Sequence, residues 1–418
     1  MATENNVNLA LATLEDRWQS RDRGLPKPGG VVVMGADYRG LGVVRSLGRH
    51  GVPVVLLQRG EHKLAVLSRY VTRVVHWPEE TNDLDFLLRL AETEKLEGWL
   101  LVPTADETVG LVARERDLLA TRYTLVTPPW ETLRQVCDKL ALHRLAHDLG
   151  IDQPWAFCPS SPQELKTFDC RFPVILKPAM REVSNPLTSA KAWAVHSRQE
   201  LLDRYKEATS FMPPELIMVQ EIIPGGGEAQ LSYAALCSEG RVLASITARR
   251  TRQFPIDFGR ASTFVETIPD PGLHDAATRL LAAIGMTGLV EVEFKRDPAG
   301  RYRLLDVNPR VWGWHTLCAR AGVDFSYLLW LLARGEAIPE LEAVPGVSWM
   351  RLSTDLPMAL QEFVRGRLSL RDYLRALRGP HDSPIFAMDD LVPGLLEVPL
   401  MSYLVAKRLL RKIMRASQ

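Results

Sequence analysis

At 418 residues the chain is longer than one hydrophobic core usually organises, so two or three packed domains are expected. Its 46% apolar and 24% charged residues exclude a disordered chain, and Lys+Arg 51 against Asp+Glu 50 leaves no bulk field favouring nucleic acid, so the expected partners are small molecules. Cys137, Cys158, Cys170, Cys237 and Cys318 are odd in number and lack metal-ligand spacing, and the first residues carry acids and no long apolar run. A reducing, cytoplasmic setting without a signal peptide or membrane span is expected.

Residues 1–28 read as a polar extension with one short helical pattern (Leu9, Leu11, Leu14, Trp18) ending in Pro26, Pro28, Gly29 and Gly30. Residues 31–34 and 54–57 are continuously apolar and flank GADYRGLGVVRSLGRHG, a strand, glycine turn, helix and strand. Such non-alternating strands suit a parallel sheet buried on both faces. Strands at 99–102, before PTADE, and at 123–126 extend this α/β domain over 29–128. Gly35, Gly40 and Gly42 suggest a nicotinamide site, but their spacing is not G-x-G-x-x-G, and Gln58 stands where a ribose-binding acid is expected.

From Pro129 to Gly150 the period is helical, with Leu133, Val136, Leu140, Leu145 and Leu149. Strands then dominate: FPVILKP, LIMVQEII, AQLSYAAL, VLASITARR, GLVEVEF and YRLLDVN, with turns at 238–240 and 297–300 that predict antiparallel sheets. The last two strands form a hairpin whose alternation puts Glu291 with Glu293 on one face, and Asp306 with Asn308 on one face. Acids among Val, Leu and Phe need a counter-ion; Mg2+ held by one or two carboxylates plus phosphate is one solution, and salt bridges to Lys295, Arg301 and Arg303 another. Lys177 ends a buried strand, either snorkelling to solvent or neutralising an anion. MVQEIIPGGGEAQ reads alone as a hairpin turn whose glycines allow close backbone approach. Arg250 and Arg252 share a face if their strand continues, and guanidinium suits a carboxylate; a solvated strand end is the alternative. Trp312 and Trp314, beside His315, are read as a core aromatic pair rather than substrate contacts.

Taken in order, DKLALHRL with Lys139, the strand-terminal Lys177, the Gln220-Glu221-Ile222-Ile223 stretch, Glu228 and the hairpin ending LDVNPR resemble the ATP-grasp superfamily. The match covers most of residues 130–330, and the preceding segment looks like the domain found before that module in carbamoyl-phosphate-synthase-like and D-aspartate-ligase-like proteins. The resemblance implies an α/β and α+β fold, with a Rossmann-like pre-ATP-grasp domain at 29–128 and two antiparallel-sheet subdomains. These are a helical linker and lid at 129–220 and a catalytic part at 221–340, with a C-terminal extension at 341–418. It further implies ATP and Mg2+ (Mn2+ as an alternative), with Lys139 and Lys177 on phosphates, Gln220, Glu221 and Ile223 facing adenine, and Glu228 on ribose. Glu293, Asp306 and Asn308 would hold two metal ions, Arg310 the transferring phosphoryl group, and Arg250 and Arg252 the substrate side. The implied reaction activates a carboxylate as an acyl phosphate for an amine, releasing ADP and phosphate; an ATP-binding regulatory or assembly protein of the same fold is the alternative.

The chain departs from the family in two places. No glycine stands between Lys177 and Lys191, so Arg181, Ser184, Thr188, Ser189 or Lys191 would replace a glycine-rich phosphate loop. Asp306 stands where Glu is usual, and Glu291 is the residue that could compensate. In the C-terminal helix, Met401, Leu404, Val405, Leu409 and Ile413 line one side, with Lys407, Arg408, Arg411, Lys412 and Arg415 mainly elsewhere. This amphipathic pattern suits docking on the chain's own body or on a second subunit of a homo-oligomer, ahead of peripheral membrane contact through residues 400–418.

Overall fold

The structure, a computed structural model, describes residues 27–180, 185–254, 261–378 and 380–416. The helical pattern at 9–18 and the loop residues Arg181 and Ser184 lie outside these. Strands Val31–Met34 (β1), Val54–Gln58 (β2), Arg73–His76 (β3) and Leu100–Pro103 (β4) form an all-parallel sheet in the order β3-β2-β1-β4. The apolar runs at β1, β2 and β4 are buried on both faces, as their lack of alternation requires. β3 is largely exposed, and its RVVH composition gave no strand signal. The strand expected at 123–126 is reduced to a single parallel bridge between Leu100 and Thr124. There the Tyr123 hydroxyl is instead drawn down to the Leu87 carbonyl, 2.7 Å away.

The glycines after β1 serve packing. Asp37 caps helix Tyr38–Arg49 (α1) by accepting hydrogen bonds from the Arg39 and Gly40 amides. A Cβ on Gly40 would lie 1.9 Å from the Gly35 carbonyl oxygen, so helix and turn touch backbone to backbone. A Cβ on Gly42 would lie 2.4 Å from Nε2 of His315, over 270 residues along the chain. Helix Asp106–Arg114 (α2) follows β4. The helical stretch after residue 129 is two helices, Trp130–Cys137 (α3) and Lys139–Asp148 (α4), because Asp138 leaves helical geometry and caps α4 through the Leu140 and Ala141 amides.

Two antiparallel arrays follow. Ala156–Phe157 (β5), Val174–Pro178 (β6), Trp193–Val195 (β7) and Ile217–Glu221 (β8) pair in the order β5-β8-β6-β7. Gln230–Ser238 (β9), Arg241–Phe254 (β10), Ala261–Thr267 (β11), Gly288–Arg296 (β12) and Tyr302–Asn308 (β13) make a larger sheet. Ser348–Met350 (β14) and His381–Asp382 (β15) complete its order β13-β12-β9-β10-β11-β14-β15, so residues beyond 340 contribute to it. The two turns at 238–240 and 297–300 do join hairpins, with Gly240 and Gly300 both at φ 82°. MVQEIIPGGGEAQ does not: β8 and β9 belong to different sheets, and the glycine run is the crossing between them. A Cβ on Gly227 would sit 2.3 Å from the Thr251 carbonyl oxygen, so this crossing lies directly on β10.

β9 explains how the parts cohere. Leu231, Tyr233, Ala235 and Cys237 pack toward helix Pro271–Ile284 (α5) and α4. Ala234 and Leu236 pack on the opposite side, in one cluster with Trp312, Trp314 and the β1 residues Val31 and Val33. The large sheet is thus covered by helices on one face and by the N-terminal domain on the other, which makes LSYAALC apolar at nearly every position. Helices His315–Arg320 (α6), Leu352–Val364 (α7), Leu370–Ala376 (α8) and Leu391–Ala416 (α9) complete the elements used below. No helix of the described residues is long and apolar enough to cross a membrane. Gly40→Ala is expected to cost about 1–3 kcal/mol by overpacking, because carbonyl backbone cannot step aside. Gly29→Ala, whose nearest neighbour is 3.5 Å away, should stay within about 0.5 kcal/mol. Urea unfolding of the two variants measures both; equal stabilities would contradict the backbone contact.

Candidate active site

The β12–β13 hairpin collects the chemistry. Glu291 lies opposite Asn308 and Glu293 opposite Asp306, after which a bulge shifts the register so that Phe294 meets Leu304. The bulge lets acids and core residues coexist in one hairpin, since it resets which side chains point inward. Asn308 ties the acids together, its Nδ2 donating to Glu293 Oε1 at 2.8 Å and to Glu291 Oε2 at 3.3 Å. Lys295, Arg301 and Arg303 are not the counter-ions: Arg301 and Arg303 both pair with Asp297 in the hairpin turn, and Lys295 has Glu228 as its charged neighbour.

The cations that do face these acids come from three segments, two of them far away in sequence. Lys139, at the start of α4, donates from Nζ to Asp306 Oδ1 at 2.9 Å. Its own amide donates to the Ala179 carbonyl at 3.1 Å, which anchors α4 to the end of the strand carrying Lys177. Arg250, from β10, reaches Glu293 at 2.7 Å and is held by the Ser262 hydroxyl at 2.7 Å. Arg310, just after β13, pairs with Asp106 in the first turn of α2 and donates to Asn308 Oδ1 at 3.3 Å. Asp106 belongs to PTADE, so the N-terminal domain orients an arginine of the hairpin.

Electrostatics separates the two glutamates. Burial and then the charge of Glu293 push the Glu291 carboxyl above its ordinary range. Burial pushes Glu293 up too, but Arg250 and then Lys191 outweigh it and hold Glu293 below. Burial works against the charge of Arg250, yet Glu293 and Glu291 keep it more firmly protonated than usual. Glu291 also accepts from Ser232 Oγ at 2.9 Å and from Trp314 Nε1 at 2.8 Å. Trp312 and Trp314 are fully buried with rings 5.6 Å apart, so the pair is core, and Trp314 uses its polar edge to orient an acid.

Among the described residues no cluster of three or more His, Cys, Asp and Glu is arranged to hold a metal by itself. The acids are instead covered by lysine and arginine, and their oxygens converge from one hairpin face. Two carboxylates and an amide with phosphate completing the shell is the donor set Mg2+ prefers, and Glu293, Asp306 and Asn308 supply those groups. These residues fit such an ion.

The other expected residues fall around this centre unequally. Lys177 and Lys139 both lower the titration of His143, which lies one turn after Lys139 on α4. Burial first and the two lysines next bring its imidazole down to about 4, so it is neutral and accepts at Nε2 from Gln220 Nε2 at 3.3 Å. His143 was not singled out in the sequence; its i, i+4 spacing from Lys139 was the available signal. Gln220 is buried, Ile223 is buried, and the Glu221 carboxylate accepts from the Trp155 amide at 3.3 Å. Glu228 folds back on its own loop, accepting from the Gly226 amide at 3.0 Å, and lines a cavity of about 270 Å3 with Gly225, Leu231 and Arg249 that does not include Glu291, Glu293 or Asp306.

Arg252 does not share the position of Arg250. A register shift between Arg249 and Arg252 turns it to Asp355 of α7, with two contacts of 2.8 Å, and over the ring of Phe264. The carbon scaffold there is structural: Asp355 is fully buried and also accepts from Thr263. In the glycine-free loop, Asn185 and Thr188 cap helix 186–190 reciprocally, and Lys191 follows with φ 72°, its charge reaching Glu293.

Residues 214–353 match the family model described as ATP-grasp in the biosynthetic pathway with Ter operon. Over 316 residues the chain is 24% identical to the carbamoyl phosphate synthase large chain of Thermus thermophilus, covering 73% of this chain but 29% of that protein's length. Over 311 residues it is 27% identical to a D-alanine–D-alanine ligase of Pseudomonas entomophila, covering 69% of this chain and 85% of the relative. Among solved structures, the L-amino acid ligase from Bacillus licheniformis superposes with a TM-score of 0.58 at 14% identity, covering 74% of this chain and 75% of that one. N5-carboxyaminoimidazole synthetase from Staphylococcus aureus does so at 0.59 and 14%, covering 81% and 87%. Low identity makes the structural likeness evidence of fold alone; the segment 214–353 carries the ATP-grasp match, and the relatives and the fold agree with it.

Proposed function

We propose that the chain is an ATP-dependent carboxylate–amine ligase that forms an acyl phosphate and releases ADP and phosphate. The observation that supports this most is the convergence of Glu291, Glu293, Asp306 and Asn308 on one hairpin face with Lys139, Arg250 and Arg310 around them. A triphosphate brings several negative charges, and only a centre holding fixed cations and metal-ligand oxygens together can stabilise their redistribution.

In this reading residues 129–220 form the lid and residues 221–340 the catalytic floor. Lys139 and Lys177 hold phosphates, and Lys139 exchanges Asp306 for them when nucleotide arrives. Gln220, Glu221 and Ile223 border adenine, and Glu228 reaches ribose once its loop contact with Gly226 opens. Glu293, Asp306 and Asn308, with Glu291 beside them, would hold Mg2+, which supplies charge neutralisation between phosphate oxygens. Arg310 stabilises the transferring phosphoryl group, oriented by Asp106. Arg250 receives the substrate carboxylate beside the γ-phosphate, whereas Arg252 supports β10 through Asp355. The carboxylate oxygen attacks phosphorus, ADP leaves, and the amine then displaces phosphate from the carbonyl carbon. A closed lid excludes water from the intermediate.

The reaction class is tested with a carboxylate labelled by 18O: one label is expected in released phosphate, and unlabelled phosphate during product formation would refute the acyl phosphate. Arg310→Ala is expected to lower kcat by about 100-fold or more with little change in nucleotide affinity. Asp306→Asn should abolish turnover with the fold retained by circular dichroism, and wild-type ADP release would remove Asp306 from the metal set. His143 reports on phosphate directly. Burial first and then the positive Lys177 and Lys139 hold its imidazole down at about 4, so phosphate between the two lysines should cancel their part and raise that value. A proton NMR titration with and without ATP, assigned with His143→Gln, is expected to move upward; an unchanged midpoint places the phosphates elsewhere.

A further inference from the structure

Helices α7 and α9 are inside out in charge. On α7, Leu352, Leu356, Leu360 and Val364 recur every fourth residue and are exposed, Val364 to 90%. The acid Asp355 of the same helix is turned inward onto Arg252. On α9, Leu395, Val398 and Tyr403 are each more than 60% exposed. The single charged residue between Leu391 and Ala406 is Glu397, and it faces inward to Arg351 at 3.1 Å and Ser353 at 2.6 Å at the start of α7. Glu397 thereby fastens α9 to α7, and Met388, 78% exposed, lies in the segment just before α9. Met401 and Leu404, the side expected to be apolar, are half-buried and turned toward the body, where Lys407 meets Glu61 at 2.9 Å. Val405, Leu409 and Ile413 lie outside the side chains described. Of the expected face, Met401 and Leu404 are thus partly covered, and a second apolar face is left to solvent.

We propose that this second face rests on an anionic lipid surface. Charge separates lipid from a second copy of the chain. Residues 408–418 carry four cations, Arg408, Arg411, Lys412 and Arg415, and no acid, in a chain of net charge +1. A twofold interface places one patch against its own copy, so these cations would need acids in the same region. Asp355, Asp389, Asp390 and Glu397 are each already bound to an arginine of the body, Arg252, Arg49, Arg45 and Arg351, and Glu362 and Asp372 pair with the neighbouring Arg365 and Arg375. Anionic headgroups supply the missing negative charge, and acyl chains cover the leucines, which is the way an amphipathic helix binds in the plane of a bilayer.

The test is flotation of the full-length protein with phosphatidylcholine vesicles containing phosphatidylglycerol. The wild type is expected to float with these and far less with phosphatidylcholine alone. Leu395→Glu with Val398→Glu should reduce the floated fraction by about tenfold, as should Arg411→Glu with Lys412→Glu, while thermal unfolding stays unchanged because Leu395 and Val398 are solvent-facing. Two results overturn the proposal: a wild type that does not float, or light scattering that shows a dimer which Leu395→Glu with Val398→Glu dissociates while vesicle binding is unaffected.

Discussion

Buried negative charge on β12 is the constraint around which the rest is arranged. Glu291 and Glu293 sit two residues apart on a strand whose neighbours belong to the core, and an isolated carboxylate there is costly enough to unfold a marginal protein. Each compensating group comes from a different part of the chain: Arg250 from β10, Ser232 from β9, Trp314 from the segment after the hairpin, and Lys139 from α4 for the adjoining Asp306. The centre exists only when the two antiparallel sheets, the helical linker and the aromatic segment are assembled. Folding and site assembly are therefore one event.

The N-terminal domain enters the same balance. Asp106 holds Arg310, and Gly42 admits His315, whose imidazole, brought down to about 4 chiefly by burial, stays neutral against α1. The domain resembles a nucleotide-binding fold, yet its turn glycines are spent on close packing between segments far apart in sequence. Its contribution is to fix an arginine and to cover one face of the large sheet. The 341–418 region is equally embedded, since β14 and β15 extend that sheet and Asp355 neutralises Arg252.

The acidic hairpin was legible because alternation is a local property: two residues of spacing put Glu291 with Glu293 and Asp306 with Asn308, whatever surrounds them. The ordered series Lys139, Lys177, Gln220–Ile223 and LDVNPR carried the family for the same reason. Counter-ions were not legible. Lys295, Arg301 and Arg303 are near in sequence but turn to other partners, while Arg250 and Lys139 reach Glu293 and Asp306 from β10 and α4, far along the chain. Arg252 differs from Arg250 through a bulge, which no residue type in TARRTRQF announces. His143 was hidden because an i, i+4 spacing from Lys139 is common on any helix, and the second lysine, Lys177, comes near it only in the fold.

The sequence by itself determined the parallel N-terminal sheet, the antiparallel hairpins, the acid-bearing faces and the ATP-grasp resemblance, all of which follow from periodicity and motif order along the chain. Tertiary structure alone decided which charges pair, that the glycine run crosses between sheets rather than closing a hairpin, and which side of the last helix faces outward. The physical reason is reach. Backbone periodicity acts over a few residues, whereas a buried charge accepts whatever partner the assembled core brings within about 3 Å, and an apolar face is inside or outside only in relation to a body that the helix does not itself contain.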